Sequence, residues 1–159
     1  MRRKDREVTE IKQIREILNG CKTCRLAMVD RGLPYVVPLN YAYQMDGDKL
    51  TLYFHSAKEG RKIDALRANP VVCFDISNEG ASIHAEETPC NSGYYYSSVL
   101  GFGIARFVND VSEKCIALML ITKHQSGADA AFTPEQADSV CIFKVASSEF
   151  TGKKKQRPY

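Results

Sequence analysis

The stretch Tyr53-Phe54-His55-Ser56-Ala57-Lys58-Glu59-Gly60-Arg61-Lys62-Ile63-Asp64-Ala65-Leu66-Arg67-Ala68-Asn69-Pro70 decides how the chain is read. Just before and into it, Leu50, Leu52 and Phe54 alternate with Thr51, Tyr53 and His55, the period of a half-buried strand. Ser56 and Ala57 open a turn. Ile63 and Leu66 then fall at helical spacing and anchor a helix on a core. Asn69-Pro70 ends that helix, because proline disfavours a helical residue before it and has no amide to donate. Lys58, Arg61 and Lys62 crowd the helix start. A helix N-terminus is already partly positive, so cations there are unfavourable unless an anion joins them. A phosphate would accept from the Ser56 hydroxyl, from the amides near Gly60, and from Arg61 and Lys62. The alternative is a solvated basic turn, partly neutralised by Glu59.

Upstream, Thr9 is placed to cap a first helix whose apolar stripe is Ile11, Ile14, Ile17 and Leu18, with Asn19-Gly20 as its stop. Arg25 to Val29 reads as a strand, Asp30-Arg31-Gly32 as a turn, and Tyr35 to Tyr43 as the next strand. Pro38 lies inside that second strand. Proline removes a ladder donor, so an edge or a bulge is expected there, where a ligand could reach the backbone of Pro38, Leu39 and Asn40. Asp46-Gly47 is a hairpin signal into the strand that ends at His55.

Downstream, Val71 to Ile76 is a strand, Asn78-Glu79-Gly80 is turn chemistry, Ser82 to Glu86 is a further strand, and Thr88 to Gly93 is a loop. Tyr94 to Val108 is a long extended segment with Gly101, Gly103 and Ala105 on one face and Leu100, Phe102 and Ile104 on the other. A glycine face lets another body approach closely: a flat ligand, a helix, a partner subunit, or the chain itself at a sharp barrel bend. Asp110 with Glu113 begins a third helix, along which Ile116, Met119, Leu120 and Lys123 share a face. Thr133-Pro134-Glu135-Gln136 is a compact helix start, and Ser139 to Ala146 is the last strand. Six or seven strands joined largely by hairpins, with three to four helices, predict an α+β fold built on a mostly antiparallel β-barrel in one domain over residues 1–159.

Composition narrows the function classes. The chain has 159 residues, a net charge of +3, 44% hydrophobic and 26% charged residues, which is ordinary for a soluble globular domain. The basic residues concentrate at the ends, in Arg2, Arg3, Lys4 and Arg6 and in Lys153, Lys154, Lys155 and Arg157, and read as solvated tails at 1–8 and 153–159. No basic stripe inside the chain points to nucleic acid, and no apolar run is long enough to span a membrane. The basic N-terminus lacks the apolar segment of a secretory signal, so a cytoplasmic location is expected. In a reducing compartment the six cysteines are free thiols. Cys73, Cys115 and Cys141 sit in apolar runs as small core residues. Cys21-Lys-Thr-Cys24 has no second pair to complete a zinc site, which leaves packing or a redox pair.

The histidines His55, His84 and His124 show no metal-binding spacing, and no metal is expected. His124 falls at a helix C-terminus, where a cation is favoured. His55 is the one retained as a functional candidate, since it ends a strand just before the anion site; a structural hydrogen bond is its other reading. No acid–base dyad or nucleophile elbow stands out. That poverty beside a phosphate cradle suggests a cofactor that brings its own chemistry.

The order of four segments resembles the pyridoxamine-5′-phosphate-oxidase-like flavoproteins, most closely their 5-nitroimidazole-resistance (Nim) branch. They are residues 53–70, Cys-Arg-Leu-Ala-Met-Val at 24–29, Pro-Tyr-Val-Val-Pro-Leu-Asn-Tyr at 34–41, and Tyr-Ser-Ser-Val-Leu-Gly-Phe-Gly-Ile-Ala at 96–105. The resemblance implies a split β-barrel homodimer with FMN at the subunit interface. It implies that Ser56, Arg61 and Lys62, with Ala57 and Gly60 in the same turn, hold the FMN phosphate, and that Val37, Pro38, Leu39 and Asn40 run along the flavin ring. His55 would lie near the ring as the catalytic candidate, and Ser97 and Ser98 would reach the flavin from the second subunit. The Arg-x-His segment that binds substrate in true pyridoxamine-phosphate oxidases is missing, because the chain ends Thr-Gly-Lys-Lys-Lys-Gln-Arg-Pro-Tyr. The expected function is therefore an FMN-dependent oxidoreductase passing electrons to a small acceptor such as a nitroaromatic. The alternatives are a non-catalytic flavin carrier or sensor, and a haem-binding protein with His55 or His84 as ligand.

Overall fold

The computed structural model describes residues 3–83 and 92–155. Seven strands form one antiparallel sheet: β1 (Glu7–Val8), β2 (Thr23–Asp30), β3 (Leu33–Asp46), β4 (Lys49–Ser56), β5 (Val71–Ile83), β6 (Gly93–Phe107) and β7 (Cys141–Lys155). Among the described residues four α-helices intervene: α1 (Ile11–Gly20), α2 (Arg61–Ala68), α3 (Val111–Ser126) and α4 (Pro134–Asp138). The strand order is β1-β7-β4-β3-β2-β5-β6, and β6 pairs back onto β7. The sheet thus closes on itself, with β1 appended to β7, as the expected split barrel of the α+β class.

The hairpins follow from local chemistry. Arg31 and Gly32 take positive φ values of 52° and 81°, turning β2 into β3 with Asp30 opposite Leu33. Gly47, at φ 56°, turns β3 into β4 with Asp46 opposite Lys49. Pro38 has the edge position predicted for it. Residues 33–40 of β3 pair only with β2, and the chain pairs with β4 only from Tyr41 to Asp46. The β3–β4 ladder therefore loses nothing to the missing amide.

The core has two parts. Inside the barrel, Leu26, Leu50, Leu52, Phe54, Phe74, Ile76, Phe143 and Val145 pack together with Ile14, Ile17 and Leu18 of α1. Outside it, Tyr53, Ala42 and Ile142 meet Ala117, Leu118 and Ile121 of α3 and Ala137 of α4. Tyr53 is therefore buried on the face opposite Phe54, so β4 is covered on both sides along that part of its length.

Several local expectations are corrected. Thr9 does not cap α1; Glu10 holds the cap position without a side-chain hydrogen bond, and Gly20 lies within the helix rather than past it. Asn78-Glu79-Gly80 is not a turn. It continues β5, and a register shift against β6 between Glu79 and Ser82 absorbs the glycine. The strand predicted at Ser82 to Glu86 is the end of β5 as far as Ile83; His84 to Asn91, with Cys90, lies outside the described residues. In α3, Ile116 and Met119 are exposed and the buried face is Ala117, Leu118 and Ile121. That helix is apolar on most sides, so its sequence carries no stripe to read. Cys73, Cys115 and Cys141 are only half-buried, whereas Cys21 and Cys24 are the buried pair. All five are free thiols, and burial raises the pKa of both Cys21 and Cys24, which disfavours their thiolates.

The glycine face of β6 is the barrel's closure. A Cβ built on Gly101 would stand 2.5 Å from the Phe74 ring and 2.7 Å from the Glu149 carbonyl oxygen. One on Gly103 would stand 2.6 Å from the Ala146 carbonyl oxygen and from a Val145 methyl. Of the bodies considered for that face, the chain itself is the one that approaches. Leu100, Phe102 and Ile104 point outward and are about half exposed, at 43%, 52% and 48%. The residues taken for basic tails meet in the fold: Glu7 and Val8 pair with Lys153 and Gly152, and Lys155 lies across from Tyr96 of β6.

Candidate functional site

The end of β4 and the start of α2 enclose a pocket of about 430 Å³. Its walls are Tyr35, His55, Ser56, Ala57, Glu59, Gly60, Arg61, Lys62 and Val140. Six of these are residues that the sequence pointed to: His55, Ser56, Ala57, Gly60, Arg61 and Lys62. They meet because β4 delivers His55 and Ser56 to its end, pinned opposite Ile142 and Cys141 of β7. The following turn then reverses through Gly60, at φ 127°, into the helix. That conformation is open to glycine and strained for other residues, and a Cβ there would meet nothing within 4 Å.

The helix start has the donors an anion needs. Gly60 caps α2 without a side chain, and its carbonyl oxygen accepts from the amides of Ile63 and Asp64. The amides of the first turn before them have no partner within the helix. Ser56 is buried, and its hydroxyl makes no hydrogen bond among the described residues.

The three cations differ sharply. Lys58 is drawn off to α4, where its Nζ is 3.8 Å from an Asp138 carboxylate oxygen. Arg61 donates from Nε to Asp30 at 2.7 Å and lies over the Tyr35 ring, 4.2 Å from its centroid. This fixes its plane and leaves its terminal nitrogens for another acceptor. Lys62 is half-buried and pairs with no carboxylate among the described residues. Burial lowers its pKa, slightly opposed by the neighbouring Cys141 thiol. A half-buried ammonium at a positive helix end, with no counter-ion, is an arrangement that fits an anion such as a phosphate.

Val37 and Leu39 lean toward the barrel core, while Pro38 and Asn40 face outward on the segment of β3 paired only with β2. Asn40 donates to Gln125 of α3 at 2.6 Å. These four residues, with Ser97 and Ser98 on β6, do not line the pocket within one chain. Asp30 and Tyr35 were missed by the sequence reading. Asp30 served there as a turn residue and Tyr35 as a strand start, and only the β2–β3 hairpin carries both to Arg61. His124 is also corrected. Burial lowers its pKa, against the backbone hydrogen bond to the Cys21 carbonyl oxygen at 2.9 Å, so it favours the neutral form rather than the expected cation. His84 lies outside the described residues. Among the described residues, no group of His, Cys, Asp and Glu is placed to hold a metal ion, and no helix is long and apolar enough to cross a membrane.

A barrel closed through glycines, with a cationic pocket at a strand–helix junction beside a half-paired strand, defines a class. Residues 10–154 match the pyridoxamine 5′-phosphate oxidase family, and the chain belongs to it. Among solved structures, it is similar to a protein of Bacteroides thetaiotaomicron described as a candidate 5-nitroimidazole antibiotic resistance protein. That match has 30% identity and a TM-score of 0.80, covering 93% of this chain and 86% of that one. A FAD-binding protein of Mesorhizobium loti shares 24% identity with a TM-score of 0.66, over 93% and 96% of the two chains. A flavocytochrome of Azotobacter vinelandii shares 18% identity with a TM-score of 0.79, over 99% and 73%. The last two support the fold alone. No curated protein sequence matches the chain significantly.

Proposed function

We propose that this protein is an FMN-binding flavoprotein that passes electrons to a small acceptor such as a nitroaromatic, working as a homodimer with the flavin at the subunit interface. The carrying observation is Lys62, half-buried at a helix start with no carboxylate partner among the described residues. Ser56, Arg61, Lys62 and the amides after Gly60 bind the phosphate. Arg61, oriented by Asp30 and Tyr35, offers it a forked donor. The ring lies along Val37 to Asn40, where one edge of β3 is unpaired by β4. Ser97 and Ser98 of a partner subunit approach it from the other side. When bound, flavin supplies the electron transfer, and the protein supplies binding and orientation. His55, exposed at the end of β4, is the residue that holds or delivers a proton beside the ring.

The homodimer is supported by the outward face of the barrel. The registers align Val36, Ala27, Cys73 and Phe102 in one row across four strands. Val29, Val71, Leu100 and Ile104 flank that row and are all exposed. Such a contiguous apolar patch on a small protein marks an interaction surface. The nitroaromatic acceptor is suggested by the likeness to the Bacteroides protein.

An absorbance spectrum of the purified protein, before and after adding FMN, tests the reading. Flavin bands are expected in the wild type and weakened in Arg61→Ala/Lys62→Ala. Rapid reoxidation of the reduced flavin by a nitroaromatic is then expected in stopped flow. Bound flavin that no acceptor reoxidises would reduce the protein to a flavin carrier, and a Soret band in place of flavin would replace the cofactor by haem.

A further inference from the structure

Residues 3–8 and 153–155 come together at the same end of β6, where a second cavity of about 650 Å³ lies. That is the size range of small-molecule sites. Three cations, Arg3, Arg6 and Lys155, line it together with Tyr94, Tyr96, Ser92 and Gly93. Among the described residues its wall carries no carboxylate.

The arrangement is ordered. Arg6 donates from Nη1 to the Tyr96 hydroxyl at 3.2 Å. The Lys153 ammonium stands 5.5 Å from the centroid of the same ring. Lys155 is the register partner of Tyr96, and its ammonium reaches within 3.9 Å of where a Gly93 Cβ would lie. Asp5 is the acid nearest these cations, and it is engaged: both its oxygens accept from Arg3, and one lies 3.8 Å from Arg6. Glu7, opposite Lys153, and Glu79, opposite Tyr96, lie outside the wall. The positive field is felt by Tyr96. Burial alone would raise its pKa, yet the hydrogen bonds from Arg6 and Lys153 turn the shift downward. Beside these charges Tyr94 is 57% exposed, so a large aromatic face is open to solvent at the cavity.

Lys155 has no carboxylate partner among the described residues and Arg6 shares Asp5 only at 3.8 Å, which leaves room for an anion, and the exposed face of Tyr94 beside the half-buried Tyr96 suits a planar ring. We infer that this cavity is a binding site for a small aromatic carboxylate, with Arg6 and Lys155 holding the carboxylate and Tyr94 and Tyr96 flanking the ring. The site stands on its own residues and does not depend on the flavin reading.

Calorimetric titration of the full-length protein with 4-nitrobenzoate, and with 4-nitrobenzyl alcohol as its uncharged counterpart, tests this with and without added FMN. The carboxylate should bind at least about tenfold more tightly than the alcohol, since charge-assisted hydrogen bonds are the strong ones. Arg6→Ala/Lys155→Ala should lose about tenfold or more of that affinity, while Lys12→Ala/Lys49→Ala, with the same loss of charge elsewhere, should keep it. Tyr94→Ser, an exposed change that leaves the core untouched, should weaken both compounds and guards against a folding defect in the double variant. Equal binding of acid and alcohol, or an Arg6/Lys155 variant that binds as the wild type does, would overturn the assignment. FMN binding measured on the same samples reports separately on the cradle at Lys62.

Discussion

Replacing Lys62 by methionine isolates the feature on which the cradle rests. The aliphatic stem is retained, so the packing under α2 is kept while the ammonium is removed. A hydrogen bond to a charged group contributes about 1.5–3 kcal/mol, which is about a 10- to 150-fold change in a dissociation constant. FMN should therefore bind Lys62→Met about 10- to 150-fold more weakly, whereas riboflavin, which has no phosphate, should bind both proteins within about twofold. Fluorescence quenching of each flavin on titration with protein measures both constants. Stability supplies a second readout with its own sign. Burial lowers the pKa of Lys62 in the folded protein, so near pH 10 the unfolded chain holds this proton more firmly. Stability then rises with pH across the window just below the ordinary lysine value, and Lys62→Met should flatten that rise. Without flavin the variant should be at least as stable as the wild type at neutral pH, because a poorly solvated cation with no counter-ion is gone. Equal weakening of FMN and riboflavin would refute the phosphate assignment, as would unchanged FMN affinity.

Gly101→Ala should cost about 1–3 kcal/mol in urea unfolding, since the new methyl meets the Phe74 ring and the Glu149 carbonyl oxygen inside 3 Å; a neutral result would show that β6 and β7 can part at no cost. Asp110→Ala should cost about 1 kcal/mol by removing the acceptor of the Glu113 amide at the start of α3, with thermal unfolding as the check. His124 has its pKa lowered by burial, so the unfolded chain binds its proton first and stability should fall as pH drops below about 6.5; His124→Gln should flatten that limb of the pH profile of unfolding. Phe102→Glu places a charge at the β6 end of the outward apolar row, between Leu100 and Ile104, and should convert the proposed dimer to a monomer in light scattering, with loss of bound flavin; a dimer that persists would move the interface elsewhere.

What the sequence disclosed, and what it withheld, divide by the range of the forces involved. The β4–turn–α2 unit was legible because every signal in it is local: the alternation of Leu50, Leu52 and Phe54, the glycine at the turn, and Asn69-Pro70 at the helix end. The capping box of Thr133 and Gln136 was legible for the same reason. Other features needed partners distant in sequence. Nothing near Arg61 says that Asp30 and Tyr35 will hold it, and nothing near Lys58 says that Asp138 will take it away. Gly101 and Gly103 announced a close approach, but which body approaches was decided by β7 closing the barrel. Asn78-Glu79-Gly80 has turn composition, and the pairing of β5 with the long β6 overrode it. The cations of the two tails were dispersed in sequence and became one cluster only when β1 and β6 both paired with β7.

The same pairing pattern that closes the barrel also places its cationic pocket. At Asn40 and Tyr41, β3 exchanges one neighbour for another, so its first half is bound on the β2 side only. That exchange leaves the Pro38 region with an edge free of β4. It also carries the β2–β3 hairpin alongside α2, where Asp30 and Tyr35 reach Arg61. The charges there are then used unequally. Asp138 takes Lys58, Asp30 and Tyr35 fix Arg61 in one plane, and Lys62 is left half-buried without an acid among the described residues. A site made only for stability would pair that last cation or turn it to solvent, since an unpaired and partly desolvated ammonium costs free energy. Its retention beside Ser56 and a helix start without a side-chain cap is what the proposed phosphate site would account for.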